Sequence, residues 1–205
     1  KAIAIATEMD EPLGMKIGNW LEVEECIELM TGKIIPDLYK INNVLAGAMI
    51  HLGGKAASVI EGEKMAEEIL ASGKAYEKFI EMVKVQNGDV DYVKDWKNLK
   101  RPEVRYECKS DKDGFIGEMN AYKFGMASIE LGCGRKKILD KIDYLAGIEL
   151  NKKCGQKIEK GETIYTLYAG DNGKIEKANE YLSDAVKISE ERPAEKKLIK
   201  SISGN

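Results

Sequence analysis

The sequence predicts an α+β protein in two parts, a helical first part over residues 1–100 and a strand-rich second part over residues 101–205. Up to about Trp96, apolar residues recur three and four positions apart, as on one face of a helix. After Pro102, short apolar stretches alternate with turn residues, as in strands. A chain of 205 residues can bury one large core or two modest ones.

The chain begins with a strand-like segment, Lys1-Ala-Ile-Ala-Ile-Ala-Thr7. Its uninterrupted apolar character is typical of a strand that is covered on both faces of a sheet. Such a strand needs neighbours that satisfy its backbone groups, and the later residues contain no obvious parallel partner. We therefore expect the chain to be the C-terminal part of a longer protein, with much of its chemistry elsewhere.

Four helices are predicted in the first part, because apolar residues at helical spacing lie between capping and turn residues. Asn19 is a candidate N-cap, with Glu22 placed to complete a capping box. The helices begin at Asn19, Pro36, Glu61 and near Tyr76, and they end before Gly32, Gly53, Gly73 and Asn87.

Short strands are predicted in the second part, where turn residues separate them at close spacing, and this pattern indicates a small β barrel or sandwich. An amphipathic helix is predicted near residues 175–188, followed by a lysine-rich tail. The predicted strands are 104–108, 114–119, 126–131, 147–150 and 163–168.

The composition excludes several classes of partner. A net charge of −3 with 33% charged residues lacks the basic excess of a nucleic-acid-binding protein. No apolar run is long enough to span a membrane.

The four cysteines occur singly, without a C-x-x-C pair, which favours reduced thiols in a cytoplasmic protein. They are Cys26, Cys108, Cys133 and Cys154.

Glu25 is the most informative charged residue of the first predicted helix. The main apolar stripe of that helix is formed by its neighbours at i, i+3, i+4 and i+7, while Glu25 lies opposite, between Leu21 and Leu29. This second apolar flank indicates that the carboxylate faces protein as well as water, and it then needs a cation or hydrogen-bond donors. A solvated surface glutamate is the alternative. The main stripe is Val23, Cys26, Ile27 and Met30.

One ordered series of motifs identifies a family. Met9-x-x-Pro-Leu-Gly-x-x-Ile-Gly-Asn-x-Leu-Glu-Val-x-Glu25 resembles a segment of pyrimidine-nucleoside and thymidine phosphorylases. The resemblance continues through essentially the whole chain in the right order, at Asp113-Gly-Phe-Ile, Leu131-Gly-Cys-Gly-Arg135, Ile142-Asp-Tyr-Leu-Ala-Gly-Ile148, Lys153-Cys-Gly and Lys160-Gly-Glu.

The resemblance implies a fold and an activity. The chain would be a fragment of an α/β phosphorylase, with an edge strand and helices of the phosphate domain followed by a C-terminal barrel-sandwich hybrid domain like those of lipoyl and biotinyl carriers. The parent enzyme would cleave uridine or thymidine reversibly with phosphate, giving the free base and (deoxy)ribose 1-phosphate. It would be a cytoplasmic homodimer, joined through an N-terminal helical domain outside this chain. The phosphate and nucleoside contacts would also lie outside it, so we expect no catalytic or substrate-binding residue here and no activity of the chain alone.

The resemblance also implies a potassium site and no organic cofactor. The ligands in this chain would be the main-chain carbonyls of Leu13 and Lys16 and the carboxylate of Glu25, and the remaining ligands would come from the N-terminal part outside it. Because only the main chain of Lys16 would coordinate, its ammonium must point away from the ion, and we expect its side chain to be replaceable with little effect.

Gly14 and Gly18 invite a different interpretation, because they bracket a loop between a strand and a helix N-terminus, a place where phosphate can bind. The spacing matches neither nucleotide-binding fingerprint, so a tight turn and a helix cap are favoured. His51, the only histidine, ends an apolar helix, where a structural capping role is favoured over catalysis.

Three further readings remain. Cys133 beside Arg135 could be a reactive thiol, although a close backbone approach at the flanking glycines, with Arg135 paired to Asp140 or Asp143, explains the motif as well. The lysine pairs at 136–137 and 152–153 lack the flanking residues of a biotinyl or lipoyl carrier. The competing function for the whole chain is a non-enzymatic helical-plus-barrel module for assembly or binding.

Overall fold

The computed structural model describes residues 1–204, whose helices and strands form two compact units. The first unit contains residues 1–8, 26–99 and the C-terminal residues from Lys197 on; the second contains residues 9–25 and 100–196. Helices and antiparallel sheets are both present, which confirms the α+β class. The domain division at residue 100 stays a prediction.

The N-terminal strand differs from the prediction. β1 (Ile3–Thr7) pairs antiparallel with β9 (Ile199–Gly204), with Ile5 opposite Ile202. Its side chains alternate between half-buried and exposed, so one face is uncovered, and the expectation of cover on both faces is wrong for this chain. The partner strand comes from the lysine-rich tail, whose alternation of Ile, Lys and Ser is too short and polar to mark a strand in the sequence.

The helices of the first part begin and end close to the predicted positions. The second and third helices approach each other closely at Gly47 and Gly62: a Cβ on Gly62 would lie 2.3 Å from the Gly47 carbonyl oxygen, so a side chain here would force the helices apart. The helices are α1 (Asn19–Met30), α2 (Pro36–Leu52), α3 (Val59–Ala71), α4 (Lys74–Val85) and α5 (Val90–Lys94), followed by a 3-10 turn at Trp96–Asn98.

The second unit contains two antiparallel sheets. One has four strands in the order β2 (Lys16–Ile17), β5 (Gly147–Leu150), β7 (Thr163–Ala169) and β3 (Val104–Lys109). The other has three strands in the order β6 (Lys157–Ile158), β4 (Gly114–Met119) and β8 (Val186–Ser189). Within residues 1–204 neither sheet closes on itself, so a closed barrel, one of the two forms that the strand pattern indicated, is not found.

A helix replaces one of the strands predicted for that barrel. Residues 126–131 belong to α6 (Ala121–Leu131), which the Asn120 side chain caps by accepting the Lys123 amide hydrogen at 3.1 Å. Phe124, Ala127 and Leu131 are fully buried and lie at helical spacing. A six-residue window hid this period, because a short apolar run fits a strand or a helix equally well.

The last predicted helix is shorter than expected. α7 (Asn172–Leu182) begins after its cap Asp171 and is followed by strand β8, so residues 186–188 are extended rather than helical. α6 and α7 pack together and against β7, and the ring of Phe124 meets that of Tyr165 edge to face at 5.5 Å. Among residues 1–204, no helix has the length and apolar composition that crossing a bilayer would require.

Candidate cation site

The three proposed ligands lie within the second unit, on β2, on the loop before it and on the first turns of α1. Glu25 is only 3% exposed, and its Oε1 accepts the main-chain N–H of Met15 at 2.6 Å. Glu25 is therefore not a solvated surface residue. Its carboxylate lies against the loop that carries Leu13 and Lys16.

Gly14 makes this approach possible. Its φ of +69° lies in the left-handed region, and a Cβ at this position would be 2.2 Å from Oε2 of Glu25. A side chain would therefore be both strained and in direct collision with the carboxylate. The absence of a side chain at Gly14 leaves room for the carboxylate beside the main chain of the loop.

The side chain of Lys16 is directed to Glu24. It is 5% exposed, and its Nζ lies 3.3 Å from Oε2 of Glu24, which is itself 2% exposed. This arrangement agrees with a main-chain role for Lys16 at the proposed site. It also means that the side chain has a structural task of its own, which the sequence did not indicate.

A buried ion cluster around Glu24 was missed by the sequence analysis. Arg101 donates to both oxygens of that carboxylate, Nη1 to Oε1 at 2.8 Å and Nη2 to Oε2 at 2.7 Å. Burial works to lower the pKa of Arg101, but the hydrogen bonds and charge of Glu24 outweigh it and raise the pKa. A bidentate guanidinium with a second cation beside it is what a buried carboxylate needs for its desolvation to be offset.

The cluster extends to the four-stranded sheet. The Arg101 guanidinium lies over the ring of Tyr168, 5.6 Å from its centroid, and the Tyr168 hydroxyl donates to Oε2 of Glu149 at 3.1 Å. Burial first, and the Glu149 charge second, raise the pKa of Tyr168, so its hydroxyl remains a donor. These residues join the start of α1 to β5, to β7 and to the segment before β3.

The signal that could have revealed Glu24 is its spacing from buried residues. Glu24 lies three positions from Leu21 and three from Ile27, both fully buried, so the buried face of α1 includes it. The apolar stripe proposed from the sequence differs from this face, since Cys26 is exposed. The buried positions of the helix are Leu21, Glu24, Glu25, Ile27 and Leu29.

The backbone amides of Gly18 and Trp20, at the N-terminus of α1, already have hydrogen-bond acceptors. The Gly18 amide donates to Oε1 of Glu22 at 3.1 Å, the Trp20 amide donates to the Tyr144 carbonyl at 3.0 Å, and the Asn19 side chain donates to the Cys133 carbonyl at 2.8 Å. Glu22 thus makes a capping contact to Gly18, and the predicted N-cap role of Asn19 is wrong, because Asn19 is the first residue of α1. The Gly18 and Trp20 donors that a phosphate would use are occupied, which supports the turn-and-cap interpretation.

Cys133 and His51 have structural surroundings. The Cys133 thiol donates to the Ala146 carbonyl at 3.2 Å, and burial, followed by the charge of Asp143, raises its pKa to about 12. A thiol with such a pKa is not the thiolate that nucleophilic chemistry requires. His51 Nδ1 lies 2.9 Å from the carbonyl of Ala56, which belongs to the connection between α2 and α3, and its capping of α2 stays a prediction.

The paired lysines are engaged with their surroundings. Lys136 pairs with Glu130, and Lys152 lies 3.0 Å from Glu162. Lys153 donates to main-chain carbonyls of the loop before β2. These contacts do not resemble the projecting lysine of a carrier domain.

The donors near the loop suit a monovalent cation. Among residues 1–204 no group of three or more His, Cys, Asp or Glu side chains could hold a metal, so an ion at this loop would depend on main-chain oxygens and one carboxylate. Oxygen donors with a single negative charge match a hard ion of low charge. Potassium can take donors of this type, and the potassium site stays a prediction.

Comparison with known proteins gives consistent matches. A family model described as the pyrimidine nucleoside phosphorylase C-terminal domain matches residues 115–189. A pyrimidine-nucleoside phosphorylase of Bacillus subtilis is 35% identical over 196 residues, which cover 96% of this chain and 45% of the relative. One from Staphylococcus aureus strain USA300 is 36% identical over 167 residues, which cover 82% of this chain and 39% of the relative. The chain spans less than half the length of these relatives, and it is similar to the C-terminal portion of pyrimidine-nucleoside phosphorylases.

Proposed function

We propose that this chain is the C-terminal part of an enzyme that cleaves pyrimidine nucleosides reversibly with phosphate, releasing the base and (deoxy)ribose 1-phosphate. The observation that carries the proposal is the 35% identity to the Bacillus subtilis pyrimidine-nucleoside phosphorylase over 96% of the chain. The buried contact of Glu25 with the Gly14–Met15 loop supports it, because the sequence segment that holds the two together is the one with the strongest family resemblance.

The proposal assigns substrate contacts to residues outside these 205. The chain corresponds to 45% of the relative's length, so a phosphate site, a base site and a dimer interface can all lie in the remainder. We propose a cytoplasmic homodimer without an organic cofactor. The 205-residue chain alone is expected to be inactive.

The proposed role of the loop is to hold a potassium ion. The main-chain carbonyls of Leu13 and Lys16 and the carboxylate of Glu25 would bind it. The bound ion would supply a fixed positive charge that draws these oxygens together. The burial of Glu25 and the contact of the Lys16 ammonium with Glu24 both support this assignment.

A chimera tests the function directly. The 196-residue matching segment of the Bacillus subtilis relative is replaced by this chain, and release of free base from uridine and thymidine is followed with phosphate present. We expect phosphorolysis by the chimera and none by the 205-residue chain alone. A folded chimera without phosphorolysis would contradict the proposal and would favour a binding or assembly module. Turnover by the isolated chain would contradict the expectation that the substrate contacts lie outside it.

A second experiment tests the cation in the active chimera. Glu25→Gln keeps the shape of the side chain and removes its charge, so we expect a higher potassium concentration for half-maximal activity, by about tenfold for a loss of about 1.4 kcal/mol. Glu28→Gln is the matched control, since Glu28 lies on the same helix and pairs with Lys33 at 2.7 Å. If both variants titrate with potassium as the parent does, Glu25 is not a ligand.

A further inference from the structure

Lys153 follows strand β5 in a turn with a well-defined backbone. Its amide donates to the Gln156 side-chain oxygen at 2.8 Å, and the Gln156 amide returns a hydrogen bond to the Lys153 carbonyl at 3.1 Å. β5 itself pairs with β2, Glu149 opposite Lys16. The turn therefore presents Lys153 at a fixed position relative to the loop before β2.

The ammonium of Lys153 binds that loop. Its Nζ donates to the carbonyl of Pro12 and, at 3.0 Å, to the carbonyl of Gly14. These two carbonyls flank Leu13, one of the proposed ligands. The contact spans 139 residues of sequence between Gly14 and Lys153, so no local pattern predicts it.

One peptide group links Lys153 to Glu25. The Gly14–Met15 peptide donates its N–H to the Glu25 carboxylate at 2.6 Å and accepts from the Lys153 ammonium through its C=O at 3.0 Å. A negative charge lies at the positive end of this peptide dipole and a positive charge at its negative end. Each charged hydrogen bond polarises the peptide in the sense that strengthens the other.

We propose that Lys153 is a positioning residue for the cation loop. Acting with Glu25 across the Gly14–Met15 peptide, its ammonium fixes the conformation in which the main chain at Leu13 and Lys16 faces the proposed ion. It does so through charge held within the protein, before any cation binds. The link to potassium rests on the proposed function above, whereas the coupling of Lys153 to Glu25 does not.

Amide hydrogen exchange at Met15, measured by NMR on the 205-residue chain, tests the coupling. Lys153→Met removes the charge and keeps most of the side-chain length, and we expect exchange at Met15 to accelerate roughly tenfold. Lys153→Arg should restore most of the protection. Lys152→Met is the matched control, because the Lys152 ammonium is bound to Glu162 and to the Lys157 carbonyl, and it should leave Met15 unchanged.

Glu25→Gln separates a specific coupling from general loosening. If the two charges act through one peptide, Lys153→Met added to Glu25→Gln should accelerate exchange much less than it does in the parent. Independent, multiplicative effects of the two substitutions would overturn the proposal. A Met15 exchange rate in Lys153→Met within twofold of the parent rate would also overturn it.

A comparison with and without potassium separates the role of Lys153 from the assignment of the cation site. Exchange is compared in potassium chloride and in N-methylglucamine chloride at equal ionic strength. If the Lys153 ammonium and a bound potassium ion order the loop in the same way, potassium should slow Met15 exchange more in Lys153→Met than in the parent. If potassium has no effect in any variant while the Lys153–Glu25 coupling persists, the positioning role stands and the three groups of this chain do not bind the ion by themselves.

Discussion

The guanidinium of Arg101 donates hydrogen bonds to both carboxylate oxygens of Glu24, at 2.8 and 2.7 Å, and the two residues are 77 positions apart in the sequence. Glu24 is 2% exposed and Arg101 one third exposed, so this pair is shielded from water on the carboxylate side. Lys16 adds a second cation at 3.3 Å. The start of α1 is thus held by charge as well as by apolar packing.

Arg101→Met should destabilise the second unit strongly. It leaves a buried carboxylate with less compensation, and we expect a loss of about 2–3 kcal/mol, below the upper range for buried pairs because Lys16 remains. Lys187→Met is the control, since the Lys187–Glu118 pair is largely exposed and should contribute less than about 1 kcal/mol. Urea denaturation of the three proteins measures both. Equal losses of unfolding free energy in the two variants would show that the Glu24 cluster stabilises the unit no more than an exposed ion pair does.

Lys16→Ala should lower the stability of the second unit, although its effect on potassium dependence is expected to be mild. The side chain is 5% exposed and bound to Glu24, so its removal leaves a cavity and a weaker charge balance, at a cost of about 1–3 kcal/mol. Lys16→Met retains most of the packing and separates the two causes. The same urea transition is the readout, and a Lys16→Ala midpoint equal to the parent's would refute the structural role.

Gly14→Ala tests the close approach of Glu25. The substitution meets both a left-handed φ of +69° and a carboxylate oxygen 2.2 Å from the new Cβ. Gly161→Ala has a comparable φ of +89° in the same unit but nothing within 4 Å, so it isolates the backbone strain of about 1–2 kcal/mol. We expect Gly14→Ala to cost more than Gly161→Ala in thermal unfolding, and the reverse order would contradict the observed packing.

The thiols of Cys133 and Cys154 should resist alkylation. Burial, together with nearby carboxylates, raises the pKa of each to about 12, so both remain protonated at pH 8 in the folded protein. The exposed Cys26 should therefore react first with iodoacetamide, as peptide mass spectrometry would show. Because the unfolded thiols lose their protons near pH 9, these two groups favour unfolding increasingly as the pH rises from about 9 towards 12. Rapid modification of Cys133 at pH 8 would contradict its buried environment.

Local signals in the sequence were sufficient for much of the fold. Capping and turn residues at Pro36, Gly53 and Gly73 marked the helices of the first part, because such residues act within one turn of the chain. The spacing of Glu25 relative to Leu21 and Leu29 indicated a carboxylate that faces protein, and the structure buries it. The ordered motifs indicated a resemblance to pyrimidine-nucleoside phosphorylases, which the comparisons confirm.

The tertiary structure decided what depends on distant partners. Whether residues 126–131 form a helix or a strand was settled by the burial of Phe124, Ala127 and Leu131 within the core of the second unit. Pairing of β1 with β9 joins the two ends of the chain, which no local pattern can encode.

The same limit applies to the charges around the candidate site. The sequence by itself determined that Glu25 lies on a helix next to a glycine-containing loop, because helical spacing and turn chemistry are local properties. It did not determine that Arg101 binds Glu24 or that Lys153 binds the Gly14 carbonyl, since these contacts span 77 and 139 residues. Only the fold brings such groups within hydrogen-bonding distance, and only burial makes their pairing necessary.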